Sequence, residues 1–122
     1  MNILPLHAAP QFTQQVIDWI WNAFGEGMPR AFFQSIVEHS LTPGELPLTF
    51  IAVEEDRLLG TVGLWRCDLI SRQDLHPWLA ALYVDEAARG NGLAGKLQQH
   101  VIGYARRAGY HELHLWSACR DF

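Results

Sequence analysis

Apolar positions recur at helical spacing in two early stretches and one late one, and they alternate or run together in the stretches between. After a short apolar segment at residues 3–6, Pro10 precedes Phe12, Val16, Ile17, Trp19, Ile20, Ala23 and Phe24. Their three- and four-residue steps predict a helix stopped by Gly25. Gly27 and Pro29 punctuate the chain, and Ala31, Phe32, Ser35, Ile36 and His39 predict a second, shorter helix before the breakers Thr42-Pro43-Gly44 and Pro47. Residues 48–54 are rich in strand formers, Glu55-Asp56-Arg57 is a polar turn, and residues 58 to about 69 read as the second arm of an antiparallel hairpin. Gly60 and Gly63 in that arm suit bulges or close packing.

A polar connector at residues 71–77 leads into residues 78–84, an almost unbroken apolar run of the kind expected of a central strand buried on both faces. A glycine cluster follows, and Gly92 opens a helix whose Leu93, Leu97, Val101, Tyr104, Ala105 and Ala108 form one stripe ending at Gly109. Leu113, Leu115 and Ser117 then alternate with His114 and Trp116 as a last strand. The order β-α-α-β-β-β-α-β predicts an α/β fold with a mixed sheet.

Composition narrows the picture without changing it. At 122 residues, 49% apolar and 18% charged, the chain is expected to form a single domain over residues 1–122 with a packed core. A formal charge of −4 argues against nucleic acid, and the one tight basic pair, Arg106-Arg107, sits at a predicted helix C-terminus where the helix dipole accounts for it. No stretch has the length of a membrane span, and the first residues lack the pattern of a signal peptide, so the expected location is cytoplasmic. Cys67 and Cys119 have no paired spacing and are expected as reduced thiols. His111 and His114 would point to opposite faces of a strand, so no metal site is expected. Trp19 and Trp21 are expected at the core and rim of the first helix rather than on a partner surface.

The chemistry concentrates in Arg89-Gly90-Asn91-Gly92-Leu93-Ala94-Gly95-Lys96. A glycine-rich turn lets the backbone approach a phosphate closely, while the free N–H groups and positive end of the following helix neutralise its charge. Gly90-x-Gly92-x-x-Gly95 matches the dinucleotide fingerprint, yet five residues separate it from the strand, and neither Glu112 nor Asp121 lies where the acidic partner belongs. Gly90-x-x-x-x-Gly95-Lys96 approaches a P-loop, but Leu97 stands where a hydroxyl must hold magnesium. Close packing alone is a further explanation for glycines at a strand-to-helix turn.

The same stretch resembles motif A of the GNAT superfamily of N-acetyltransferases, Q/R-x-x-G-x-G/A, with Arg89, Gly92 and Ala94 at the defining positions. Val84 and Asp85 before it, and Ile51-Ala52-Val53-Glu54 with Leu58-Leu59-Gly60-Thr61-Val62-Gly63 upstream, extend the resemblance over nearly the whole chain. The resemblance implies acetyl-CoA as co-substrate. Its pyrophosphate would lie on Arg89, Gly90, Asn91, Gly92, Leu93, Ala94 and Gly95, and its pantetheine along Leu82, Tyr83 and Val84. It implies a primary amine of a small molecule or peptide as acceptor. An amine with a pKa of about 10 must lose a proton before it attacks. By residue type the candidate bases are Glu54, Asp68, Asp74, His76 and Tyr83, with none placed at the acceptor by sequence. Asp18, Glu26 and Glu38 are acidic groups that could attract a cationic amine.

The tyrosine that family members often carry beyond the fifth strand has no counterpart, and the family's last two strands are missing. The expectations that follow are a homodimer covering the exposed edge at residues 112–117, or a non-catalytic acyl-CoA-binding remnant or regulatory module.

Overall fold

A computed structural model describes residues 1–67 and 74–115. The elements are β1 (Asn2–Pro5), α1 (Thr13–Phe24), α2 (Arg30–His39), β2 (Leu48–Glu54), β3 (Arg57–Trp65), β4 (Trp78–Val84), α3 (Leu93–Arg107) and β5 (His114–Leu115). Short 3-10 turns fall at Leu6–Ala8, Pro10–Phe12 and Glu86–Ala88. The strands form one sheet in chain order, β1 to β4 antiparallel and β5 parallel to β4.

Both faces of the sheet are covered, which is why the strands read as apolar runs rather than clean alternations. Leu48, Phe50 and Ala52 of β2 point to the α3 face, where they meet Leu93, Leu97, Val101 and Ala105. Ile51 of β2 joins Val16, Ile17 and Ile20 of α1 and Phe33 and Val37 of α2 on the other face. Buried polar groups on that face are satisfied: the Ser40 and Thr49 hydroxyls share a hydrogen bond of 2.8 Å, and the Thr61 hydroxyl donates to the Phe50 carbonyl at 3.0 Å.

The two glycines of β3 serve packing. A Cβ on Gly60 would meet Leu97 Cδ1 and the Tyr83 carbonyl oxygen at 3.0 Å, so glycine sets how closely β3 approaches β4 and α3. The Trp65 indole lies over Gly63.

Three expectations need adjustment. β3 ends at Trp65 rather than near residue 69: Arg66 leaves the ladder to donate to the Leu46 carbonyl at 3.2 Å, and residues 68–73 lie outside the described residues. The last strand comprises only His114–Leu115 among the described residues, with Trp116 and Ser117 lying beyond them. The unbroken burial expected of β4 is a correction, since Trp78, Leu79, Ala80 and Val84 are buried while Ala81, Leu82 and Tyr83 are half-buried. The cause is local: β5 pairs only with Trp78 and Leu79, so the rest of that edge has no strand partner among the described residues.

Candidate functional site

β4 is distorted where its edge is free. Its pairing with β3 slips between Thr61 and Gly63, leaving an extra residue on β4 opposite Val62. Ala81 takes up the slip with φ of 50°, a conformation that alanine seldom adopts and that marks a bulge. Ala80 and Ala81 consequently both pack toward α1, after which Leu82 and Val84 pack toward α3. Tyr83 faces α1, its ring 5.2 Å from that of Trp19.

Beyond Val84 the chain stays tied to the sheet. The Asp85 N–H donates to the Leu59 carbonyl at 2.8 Å, and the Asp85 carboxylate lies 3.4 Å from Arg57. One 3-10 turn then buries Ala88 against Leu93 and Val84. Arg89 folds back: its Nε donates to the Val84 carbonyl at 2.9 Å, and its guanidinium carbon lies 5.6 Å from the Tyr83 ring centre.

The turn itself reverses on glycine. Gly90 and Gly92 have φ of 89° and 74°, the left-handed region that glycine enters without strain. Gly92 caps α3, and the first backbone bond of the helix runs from the Lys96 N–H to the Gly92 carbonyl at 3.2 Å. Among the described residues, the six consecutive N–H groups of residues 90–95 donate to no backbone acceptor. No acidic side chain occupies the first turn of α3 to offset its positive end.

Gly95 is the informative member of the cluster. It is helical, needs no positive φ, and a Cβ there would meet nothing within 4 Å. Close packing explains Gly60 and backbone conformation explains Gly90 and Gly92, but neither explains Gly95. Glycine inside a helix costs about 1 kcal/mol against alanine. A turn kept bare at that position has room for an anion to come up against the helix backbone.

The structure thus brings Arg89, Gly90, Asn91, Gly92, Leu93, Ala94 and Gly95 into one turn at the end of the strand that carries Leu82, Tyr83 and Val84. Within this set, Arg89 is already engaged, its side chain by the Val84 carbonyl and its N–H by the Glu86 carbonyl at 3.3 Å. The candidate bases do not converge. Glu54 ends β2, 3.7 Å from the Met1 amine, and with Arg57, Asn91 and Lys96 it lines a cleft of about 270 Å³ on the β2–β3 side of the turn, away from the free edge of β4. His76 is exposed, with its ring 6.4 Å from that of Tyr110. Asp74 is exposed in a turn, and Asp68 lies outside the described residues. Tyr83 alone stands at the free edge of β4.

Two of the acidic groups considered for the acceptor are engaged by other side chains. Asp18 accepts from Arg30 at 2.8 Å and Glu38 from Gln34 at 2.8 Å, while Glu26 is exposed just after α1. A second cavity, about 390 Å³, opens between α3 and the segment leading into β5, lined by Gln98, Ile102, Arg106, Tyr110 and Leu113. Among the described residues, no cluster of His, Cys, Asp or Glu has the arrangement of a metal site. No helix of the described residues is long and apolar enough to cross a membrane.

Two features carried no signal in the sequence. Ala81 sits in an unremarked Ala-Ala pair, and only the register shows the bulge. Contact between Trp19 and Tyr83, far apart in the chain, requires the tertiary fold, although the position of Trp19 on the edge of the apolar stripe of α1 was consistent with a role at the rim.

A mixed sheet whose parallel pair β4 and β5 is bridged by α3, with N–H groups at the crossover that meet no backbone acceptor among the described residues, is an α/β arrangement with an open helix N-terminus. The acetyltransferase (GNAT) family model matches residues 13–121, and the chain belongs to that family of acyltransferases. Solved structures share the fold. A predicted acetyltransferase from Clostridium acetobutylicum with acetyl-CoA has a TM-score of 0.71 at 16% identity, covering 95% of this chain and 80% of that one. An aminoglycoside 6'-N-acetyltransferase complexed with coenzyme A has a TM-score of 0.72 at 21% identity, covering 94% and 61%. The aminoglycoside N-acetyltransferase AAC(6')-Iy in complex with a bisubstrate analogue has a TM-score of 0.74 at 18% identity, covering 98% and 81%. No curated protein sequence matches this chain significantly.

Proposed function

We propose that residues 1–122 act as one acetyl-CoA-binding unit that transfers the acetyl group to a primary amine of a small molecule or peptide in the cytoplasm. The observation that carries this reading is the run of six N–H groups at residues 90–95 without backbone acceptors, opening a helix whose first turn holds no acid. The bare position at Gly95 suits a pyrophosphate, which needs close approach to the backbone. The structures that share the fold with bound acetyl-CoA or coenzyme A, and the aminoglycoside-modifying enzymes among them, support a CoA thioester and a small-molecule acceptor.

In this reading Gly90, Asn91, Gly92, Leu93, Ala94 and Gly95 hold the pyrophosphate through their N–H groups, and the free edge of β4 at Leu82, Tyr83 and Val84 lines up the pantetheine as an added strand would. Bound acetyl-CoA would supply an activated acyl group: as the amine nitrogen bonds to the carbonyl carbon the C–S bond would break, the electron pair leaving with sulfur as the CoA thiolate, which takes a proton from water. The bulge at Ala81 turns backbone donors out of the β3 ladder, where they can stabilise charge growing on the thioester oxygen. The amine's proton leaves through water or a nearby side chain, and Tyr83 is the candidate whose position at that edge suits it.

A second copy of the chain belongs to the same proposal, since β5 is an edge strand of the described sheet with Leu115 49% exposed. Light scattering at high concentration is expected to give a dimer, and a monomer would remove this part.

The test is calorimetric titration of acetyl-CoA into the protein and into Gly95→Trp. That position accepts a side chain without backbone strain, unlike Gly92. Binding by the parent that is lost in a still-folded Gly95→Trp is the expected result. No binding by the parent sinks the reading, and binding without turnover of any amine would make the chain a non-catalytic acyl-CoA-binding module.

A further inference from the structure

The free edge of β4 has two sides. One is filled by α3 and the glycine turn, so an acceptor must come from the α1 side. That side is walled by aromatic rings. Tyr83 projects from the edge toward α1, and the Trp19 ring meets it at 5.2 Å with the planes tilted by 56°. Both residues are half-buried, so their rings are fixed by packing yet partly open. Around them the side chains are small, with Ala80 and Ala81 packing on the same side of β4 and Ala23 one helical turn beyond Trp19.

Charge near this wall has the wrong sign for a polycation. Among the described residues, the charged group in contact with it is the Arg89 guanidinium, 5.6 Å from the centre of the Tyr83 ring. The only carboxylate of α1, Asp18, belongs to the opposite flank, where it pairs with Arg30 of α2 at 2.8 Å. Trp21 is turned to that same flank, its indole N–H donating to the Met28 carbonyl at 3.0 Å. Thus the flank of α1 facing β4 offers ring surface and small residues, while its charge and hydrogen bonding are used toward α2.

Resting on the acetyl-transfer reading, we infer that Trp19 and Tyr83 form an acceptor wall selecting a primary amine carried on a flat apolar body, an arylalkylamine, over polyamines and aminoglycosides. An aromatic ring stacked on such a wall is worth about two- to tenfold in affinity beyond its buried area. A polycation gains a cation–π contact but lays no flat apolar body on the rings, and its several charges approach a fixed positive charge.

Two measurements test this. In the first, phenethylamine, tryptamine, spermidine and kanamycin are compared as acceptors with acetyl-CoA. The arylalkylamines should show kcat/KM about two- to tenfold above the polycations. Trp19→Ala should remove that margin through KM, and Trp19→Phe should restore most of it. Equal or better turnover of spermidine or kanamycin overturns the inference, as does a Trp19→Ala variant with unaltered selectivity. In the second, phenethylamine is titrated against tryptophan fluorescence with and without coenzyme A present. Saturable binding that Trp19→Ala abolishes supports the wall even where no amine is acetylated, a result that would count against acetyl transfer alone. Absence of binding under both conditions overturns the wall.

Discussion

Gly95 sits where alanine would be the better helix former. Replacing it with alanine should raise the unfolding free energy by about 0.5–1 kcal/mol, because the position needs neither a positive φ nor close packing. The same change narrows the approach to the turn, so affinity for acetyl-CoA is expected to fall. Urea unfolding and calorimetry on the one variant check both halves, and a gain in stability with undiminished binding would show that the bare position serves no ligand. The sequence made the turn visible because three glycines in six residues exceed what a helix start requires. It could not separate their roles, since the φ values of Gly90 and Gly92 and the empty surroundings of Gly95 exist only once the chain has turned. Arg89 illustrates the same limit. Its place in the motif was legible, whereas its hydrogen bond to the Val84 carbonyl depends on how the turn doubles back.

At the level of elements, periodicity located both early helices, the hairpin, β4 and α3, because each has a long, one-sided or continuous apolar pattern. It overran at β3, where Trp65 is the last residue of the ladder, and it treated β4 as uniformly buried. Hydrophobicity records that a segment faces apolar neighbours somewhere, without recording that a strand edge is open beside them. Gly60 governs the fit of three elements at once. A valine there would press on Leu97 and on the Tyr83 backbone, which cannot move aside as a side chain end can. Overpacking of this kind costs about 1–3 kcal/mol. Gly60→Val should therefore show a lowered denaturation midpoint. Because β3 would be pushed from β4, the variant should also bind acetyl-CoA less well than its residual stability suggests. An unchanged midpoint would mean that α3 can shift to make room.

For the molecule as a whole, one titrating group couples folding to pH. His100 of α3 packs its ring on Phe50 at 4.9 Å, and burial, followed by the charge of Arg107, holds its pKa below the ordinary 6.5. The folded chain therefore prefers the neutral imidazole. Above about pH 6.5 neither state carries the proton and the group contributes no slope. As pH falls through that value the unfolded chain takes up the proton first, so stability declines until the lowered folded pKa is reached, and then levels off. Urea midpoints measured from about pH 8 to pH 5 should show this decline, and His100→Gln should flatten part of it. A parallel decline in the variant would assign the slope to other groups.

The sheet divides the interior into two clusters, with the glycine turn rooted in one and the Trp19 wall in the other. Substitutions at sites without shared neighbours tend to act independently. On the acetyl-transfer reading proposed above, side chains along α1 that do not touch Tyr83 are free to change for new amines while the glycine turn, anchored across the sheet, keeps its shape. That reading assigns choice of acceptor and grip on the co-substrate to opposite faces of a single layer of strands.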